Sequence, residues 1–180
     1  MTAIKTETTW KLDPSHTSVA FSAKHLMFTT VKGRFAEVEG TVVMDGDSPA
    51  NATVSARIKA ASIDTRTEQR DAHLRSPDFL DADGFPLLTF VGKAIDGGRD
   101  RFRLIGDLTI RGTTRPISLD VRYEGRGTDP WGGERVGFSA CGKFDRREFG
   151  LVWNQPLEGG GVLVSNDIKV EIDAQLVKAA

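Results

Sequence analysis

The segment of residues 62–90 carries the densest set of side chains able to do chemistry in this chain. It mixes charged groups with leucine and phenylalanine, which is unusual for a solvent loop. Guanidinium groups bind carboxylates and phosphates bidentately, so the segment predicts either anionic head-group contacts or internal ion pairs. The even mixture of opposite charges favours ion pairs. Its charged and titratable members include Arg66, Arg70, Asp71, His73, Arg75, Asp78, Asp81 and Asp83.

The three histidines raise the question of a metal or catalytic site. His16 and His25 flank a predicted strand that would separate them by about 30 Å, so they do not predict a shared metal ion. Ser15 lies beside His16 without a Gly-x-Ser-x-Gly elbow, and a turn is the favoured interpretation there. We therefore predict no metal ligand and no catalytic residue. The alternative is an enzyme acting on a small amphiphile through His73 or His16 paired with a carboxylate.

Length and composition limit the class of protein. The 180 residues predict a single domain over 1–180, and a net charge of -1 gives no electrostatic case for nucleic acid. The single cysteine, Cys141, excludes an internal disulfide and favours an ordinary strand position. The first residues show no apolar leader. No apolar run anywhere in the sequence approaches the ~20 residues that a membrane span needs. We expect a cytoplasmic protein without membrane insertion, or a periplasmic one if a leader has been removed.

Alternation of apolar and polar residues dominates the rest of the chain and predicts β-strands with one wet face. With turn signals between them, the runs amount to about eight strands, many longer than the usual ~5–6 residues. We predict an all-β fold, an extended eight-stranded antiparallel lipocalin-like barrel, with a β-sandwich as the alternative. The clearest runs are residues 19–25, 54–60, 102–111, 117–124 and 168–176.

One short helix interrupts this pattern. Thr65 and Glu68 fit a capping box, which predicts a helix over residues 66–75. Pro77 disfavours a helical conformation at Ser76 and should end it there. Without a continuous apolar stripe, the helix is predicted to cap one end of the barrel.

Seven motifs spread along the chain resemble those of the YceI-like family of lipocalin-like barrels. The resemblance implies a barrel with an apolar tunnel, often dimeric, that holds long isoprenoid lipids or other long-chain amphiphiles. It implies no agreed enzymatic reaction. Many members are periplasmic. The motifs are WKLDPSH at 10–16, KHLMFTTVKGRF at 24–35, ASIDT at 61–65, RDAHLRSPDFL at 70–80, FPLLTF at 85–90, GDLTIRGTTRP at 106–116 and RREFGLVW at 146–153.

The predicted function is non-catalytic binding or carriage of an isoprenoid of polyprenyl phosphate or quinone type, by a homodimer without a cofactor. Small residues on apolar faces, including Ala23, Ala56 and Gly106, should leave interior volume, although a barrel of this size can also be packed shut. His73, Leu74, Arg75 and Phe79 are the predicted rim contacts. The full predicted ligand site is Phe21, His25, Phe28, His73, Leu74, Arg75, Phe79, Phe90, Leu104, Leu108, Phe138 and Trp153.

Overall fold

Eleven β-strands and one short α-helix build the described part of the chain, residues 6–46 and 48–180 of a computed structural model. Residues 1–5, which enter the expectation of no leader, lie outside it. Short 3-10 turns lie at Pro14–His16, Ala60–Ser62 and Arg146–Phe149. The elements are β1 (Glu7–Leu12), β2 (Ser18–His25), β3 (Thr29–Phe35), β4 (Val38–Asp45), β5 (Ser48–Lys59), β6 (Ile63–Asp64), α1 (Glu68–Arg75), β7 (Leu87–Gly97), β8 (Arg101–Ile110), β9 (Thr113–Thr128), β10 (Glu134–Asp145) and β11 (Asp167–Lys178).

The strands close into an eight-stranded antiparallel barrel. β1 and β2 act as two halves of one bent strand, because both pair with β11. β3 and β4 form the next strand in the same way, and β5 with β6 form the third. From β5 the ladder continues through β7, β8, β9 and β10 to β11. Within the described residues every strand of the ring has two neighbours, which removes the free sheet edges. The predicted barrel is confirmed.

The predicted alternation explains which face of each strand is buried. Along β11, Ile168, Val170 and Ile172 point inward, and the lysine, glutamate and aspartate between them are exposed. A pleated strand turns successive side chains to opposite faces, so this pattern covers the barrel interior with apolar groups and the outside with charge.

The interior holds two apolar clusters at different heights. One, centred on Trp10, Met44, Val136 and Leu176, fills the barrel on the side of β1. The larger cluster lies beneath α1, and Phe138 packs against both. Side chains therefore pack the barrel interior on the β1 side.

The α1 segment caps the barrel, but its N-terminus differs from the prediction. The helix begins at Glu68 with Thr67 as N-cap, and no side chain caps it. Arg66 has φ +64°, a left-handed conformation, and its N–H donates to Asp64 Oδ1 at 2.9 Å. The helix cannot extend through such a residue, so the predicted Thr65–Glu68 capping box is wrong. Ser76 ends the helix in extended conformation before Pro77, as predicted. Within the described residues, no helix is long and apolar enough to cross a membrane.

A polar network joins the loop after β1 to the loop between β9 and β10. Asp13 accepts hydrogen bonds from the Ser15 hydroxyl at 2.7 Å and from Arg135 Nη1 at 2.6 Å. Arg135 Nε also donates to Asp129 Oδ2 at 2.8 Å. The hydrogen bonds from Ser15, His16 and Arg135 hold the pKa of the Asp13 carboxyl well below its usual range.

This lowered pKa predicts a pH dependence of stability. Because the folded state favours the ionised Asp13, its contribution is complete above the ordinary pKa of about 3.9 and is lost as the pH falls further. We expect Asp13→Asn to lower the free energy of unfolding at pH 7 and to flatten its decline in acid. Denaturant titrations over a pH series measure both effects. Glu158→Gln, at an exposed loop position, is the control; an equal acid decline in Asp13→Asn and wild type would contradict the prediction.

Candidate functional site

An apolar cavity of about 260 Å³ lies inside the barrel beneath α1. Strands from around the barrel supply its wall, and Leu74, Phe79 and Leu80 cover it from the α1 side. Only Thr17 and Arg146 among the lining residues carry polar side chains. A cavity of ~150 Å³ already takes benzene, and pockets for drug-sized ligands begin at about 300 Å³. The observed space therefore fits a ring or a short branched chain.

Two aromatic rings limit the size of this cavity. A Cβ added at Gly33 would lie 2.4 Å from Phe21 Cζ, and one added at Gly106 would lie 2.3 Å from Phe90 Cζ. Both rings thus lie directly on glycine backbone. Gly106 was predicted to leave free volume, but the Phe90 ring takes that space. Ala56, in contrast, does line the cavity.

Five of the twelve predicted site residues line this cavity. They come from three strands, from α1 and from the loop after it, which the fold brings together around one space. Their positions on the cavity wall are now defined, and their contact with a ligand stays a prediction. They are Phe21, Leu74, Phe79, Phe90 and Leu108.

Two further predicted residues face the interior without lining the cavity. Leu104 is buried in the larger cluster, opposite Leu119 in the β8–β9 ladder. Phe138 packs edge-on against Phe102 and Tyr123, with ring centroids 6.3 and 5.8 Å away. Alternation along a strand predicts which side chains point inward. It does not predict where along the barrel axis side chains fill the interior and where they leave a cavity.

His73 and Trp153 lie beside Phe79. The His73 ring centroid is 4.7 Å from that of Trp153 and 5.1 Å from that of Phe79, both nearly perpendicular. His73 Nε2 also lies 2.8 Å from Asp78 Oδ2. These rings support Phe79, which forms part of the cavity wall, but neither lines the wall itself.

Arg75 lies outside the cavity wall, and its guanidinium is engaged elsewhere. Its Nε donates to the Ala61 carbonyl at 3.0 Å and its Nη2 to the Ile63 carbonyl at 3.3 Å. Its Nη1 lies 3.2 Å from Glu68 Oε1. Arg75 therefore ties α1 to the Ala60–Ser62 turn and to β6, and its one ion pair is with Glu68 of the same helix.

His25 and Phe28 lie at the β2–β3 turn, away from the cavity wall. Leu26 and Met27 have positive φ, which turns the chain sharply before β3. Phe28 is 75% exposed, and the His25 backbone bridges Val164. Met27 is likewise 61% exposed, so the turn of this motif presents apolar side chains to solvent.

The histidine–carboxylate pairs of the alternative function do form. His16 Nδ1 lies 2.8 Å from Asp13 Oδ2, matching the 2.8 Å of the His73–Asp78 pair. None of these four side chains lines the cavity wall. Across residues 6–46 and 48–180, no group of three histidine, cysteine or acidic side chains is placed to hold a metal ion.

Arg146 is the charged residue of the cavity wall, and it was not among the predicted site residues. It is 3% exposed, follows β10 directly and lines the cavity. The inward set of β10 includes Phe138 and Phe144, so continuing the same period of two reaches Arg146. That periodicity was available in the sequence, but an arginine is rarely placed in a core.

Comparison with known proteins agrees with the fold and the motifs. The sequence model of the YceI-like domain matches residues 10–176. Protein YceI of Shigella flexneri is 38% identical over 79% of this chain and 75% of its own length. A UPF0312 protein of Staphylococcus aureus is 37% identical over 93% of this chain and 96% of its own.

Three solved structures with the same architecture are similar to this chain. Burkholderia cenocepacia BcnA superposes with a TM-score of 0.79 at 20% identity, covering 91% of this chain and 98% of that one. The Campylobacter jejuni YCEI protein gives 0.72 at 29% identity over 87% and 90%. A domain from Saccharophagus degradans, described as polyisoprenoid binding, gives 0.68 at 13% identity over 94% and 98%. The motifs, the closed barrel and the match over residues 10–176 together show that this chain belongs to the YceI-like family.

Proposed function

We propose that this protein binds or carries a long-chain isoprenoid or similar amphiphile, without catalysing a reaction on it. The observation that carries the proposal is the cavity inside the barrel, whose wall is apolar except at Thr17 and Arg146. Membership of the YceI-like family supports it, as does the likeness in fold to a polyisoprenoid-binding domain. Within the class, polyprenyl phosphates and quinones are the proposed ligands, with a cytoplasmic homodimer as the proposed carrier.

The size of the cavity limits how such a ligand binds. The 260 Å³ accepts a short part of the chain, and a longer tail needs Phe21 or Phe90 to leave its place on glycine. Each buried CH₂ contributes roughly 0.8 kcal/mol, so one isoprene unit of about five carbons contributes ~4 kcal/mol. The proposed mode is thus insertion of one end of the amphiphile, followed by widening of the barrel interior.

Native mass spectrometry of the purified protein tests the proposal. We expect mass adducts that organic extraction identifies as isoprenoid or long-chain lipid. If the protein is purified without bound lipid, added ubiquinone or geranylgeranyl phosphate should form a complex of defined stoichiometry. No adduct after purification and no complex with either added lipid would contradict the proposed function.

The alternative enzyme would use the His73–Asp78 pair, which adjoins Phe79 on the cavity wall. Its weakness is geometric, because a general base needs hydrogen-bond reach to the substrate and neither polar side chain lines the cavity. Mass analysis of a bound lipid before and after long incubation separates the two functions. A product that disappears in His73→Ala would favour the enzyme.

A further inference from the structure

Arg146 is a buried cation in the wall of an otherwise apolar cavity. Its side chain is 3% exposed, and no carboxylate of the described residues forms an ion pair with it. The nearby Asp145 carboxylate is bound instead by Arg147 at 2.6 Å. Burial lowers the pKa of the Arg146 guanidinium, although an arginine keeps its charge in proteins. A buried charge without a paired carboxylate is costly. The guanidinium lies over the Phe79 ring, with Cζ 6.0 Å from the ring centroid.

Backbone carbonyls satisfy most of the guanidinium. Nε donates to Ser165 at 3.0 Å, and Nη1 donates to Leu151 at 2.7 Å and Trp153 at 2.9 Å. Nη2 reaches only the Val164 carbonyl, at 3.5 Å, and that oxygen already accepts from Asn154 Nδ2 at 2.7 Å. Of the five N–H groups, the second on Nη2 has no acceptor among the described residues. The group is thus anchored on one edge and weakly satisfied on the other.

We propose that the Nη2 edge of Arg146 binds the head group of the ligand and selects one with an anionic oxygen, such as a carboxylate or phosphate. This inference rests on the proposed function and specifies the ligand class within it. The tail lies along the apolar wall, and the anion supplies both the missing acceptor and the missing countercharge. Arg75, the head-group contact predicted from the sequence, has its donors engaged outside the cavity.

The sign of a head-group preference tests the proposal in the unmodified protein. Geraniol and geranic acid share one tail, and an ionised carboxylate loses more hydration on burial than a hydroxyl. A cavity without a cation therefore prefers the alcohol, whereas pairing with Arg146 reverses the order. At pH 8, calorimetric titration should show geranic acid binding about tenfold or more tightly than geraniol.

Each outcome of this titration decides something different. Equal or tighter binding of geraniol overturns the Arg146 contact and leaves the proposed function standing. Binding of neither probe overturns both. A carbon-13 label on the geranic acid carboxyl gives a second readout, because a neighbouring cation lowers the pKa of the bound acid and an apolar wall raises it. A raised pKa would also overturn the contact.

Variants assign the effect to this residue. Arg146→Met should reverse the preference so that geraniol binds more tightly, while Arg146→Lys should keep the preference for the acid. Arg147→Met is the matched control, because its guanidinium is 57% exposed and bonded to Asp145. A folded Arg146→Met protein that still prefers the acid tenfold would overturn the proposal. If the loss of the carbonyl contacts prevents folding, the wild-type titrations decide the question alone.

Discussion

Replacing Ala56 by tryptophan should abolish ligand binding while the barrel still folds. Ala56 lies on β5 and lines the cavity, so the indole occupies the space in which the ligand tail is proposed to lie. Losing the burial of about one isoprene unit costs ~4 kcal/mol, or roughly a thousandfold in affinity. Overpacking of the wall itself costs about 1–3 kcal/mol of stability, which a barrel of this size can tolerate.

Ser55→Trp is the matched control for this experiment. Ser55 precedes Ala56 on the same strand and its side chain is on the exposed face, so an indole there leaves the cavity unchanged. Titration with a fluorescent lipid probe, together with circular dichroism to verify folding, compares the two variants. Ala23→Phe, on β2 at another part of the wall, provides a second blocked cavity. Wild-type affinity in both folded cavity variants would place the ligand outside the barrel.

The choice of Ala56 illustrates what alternation along a strand does and does not predict. A period of two places Ala56, Leu104 and Ala140 on inward faces equally well. Only the structure shows that Ala56 borders the cavity, whereas Leu104 is buried in the core and Ala140 does not line the cavity. The height of a filled layer depends on how side chains from distant strands meet, which a single strand does not encode.

The barrel could be predicted from the sequence, because long strands with one apolar face and few helices favour either a barrel or a β-sandwich. The cavity volume could not, since it depends on the rotamers of Phe21 and Phe90 over the glycines that receive them. From the sequence, small residues on the inward face of a strand predict free volume in the barrel interior. In the folded protein a glycine on one strand is as readily covered by an aromatic ring from the next.

Local rules also failed where a tertiary contact competes with them. Thr65 and Glu68 have the spacing of a capping box, yet Thr65 donates its backbone N–H and its hydroxyl to Asp71 instead. Asp71 lies one turn into α1, so the same threonine fixes the helix from the side rather than from its end. Within segment 62–90 two ion pairs form, Arg75–Glu68 and His73–Asp78. Arg70 and Asp71 do not pair with each other; both bond to Thr65.

Replacing Asp71 by alanine should therefore produce the largest loss of stability of any single charge in this segment. Asp71 and Thr65 are each 4% exposed, and Asp71 Oδ1 accepts from the Thr65 N–H at 2.9 Å and from its hydroxyl at 2.5 Å. Arg70 Nε in turn donates to the Thr65 hydroxyl at 2.7 Å. Removing the carboxylate leaves two buried donors, the Thr65 N–H and its hydroxyl, without their acceptor. Hydrogen bonds to charged groups contribute about 1.5–3 kcal/mol each and are not additive, so we expect a loss of about 3 kcal/mol in the free energy of unfolding.

Three variants separate this cause from a general effect of lost charge. Asp71→Asn keeps an acceptor oxygen in place and should lose less than Asp71→Ala. Asp83→Ala removes an exposed aspartate of the same segment and should stay within about 0.5 kcal/mol of wild type. Denaturant unfolding gives the free energies, and hydrogen exchange at the Thr65 amide reports the bond directly. Because α1 and the loop after it carry Leu74 and Phe79 of the cavity wall, Asp71→Ala should also speed the release of a bound lipid. If Asp71→Ala and Asp83→Ala unfold at the same denaturant concentration, this buried carboxylate does not fix the cap.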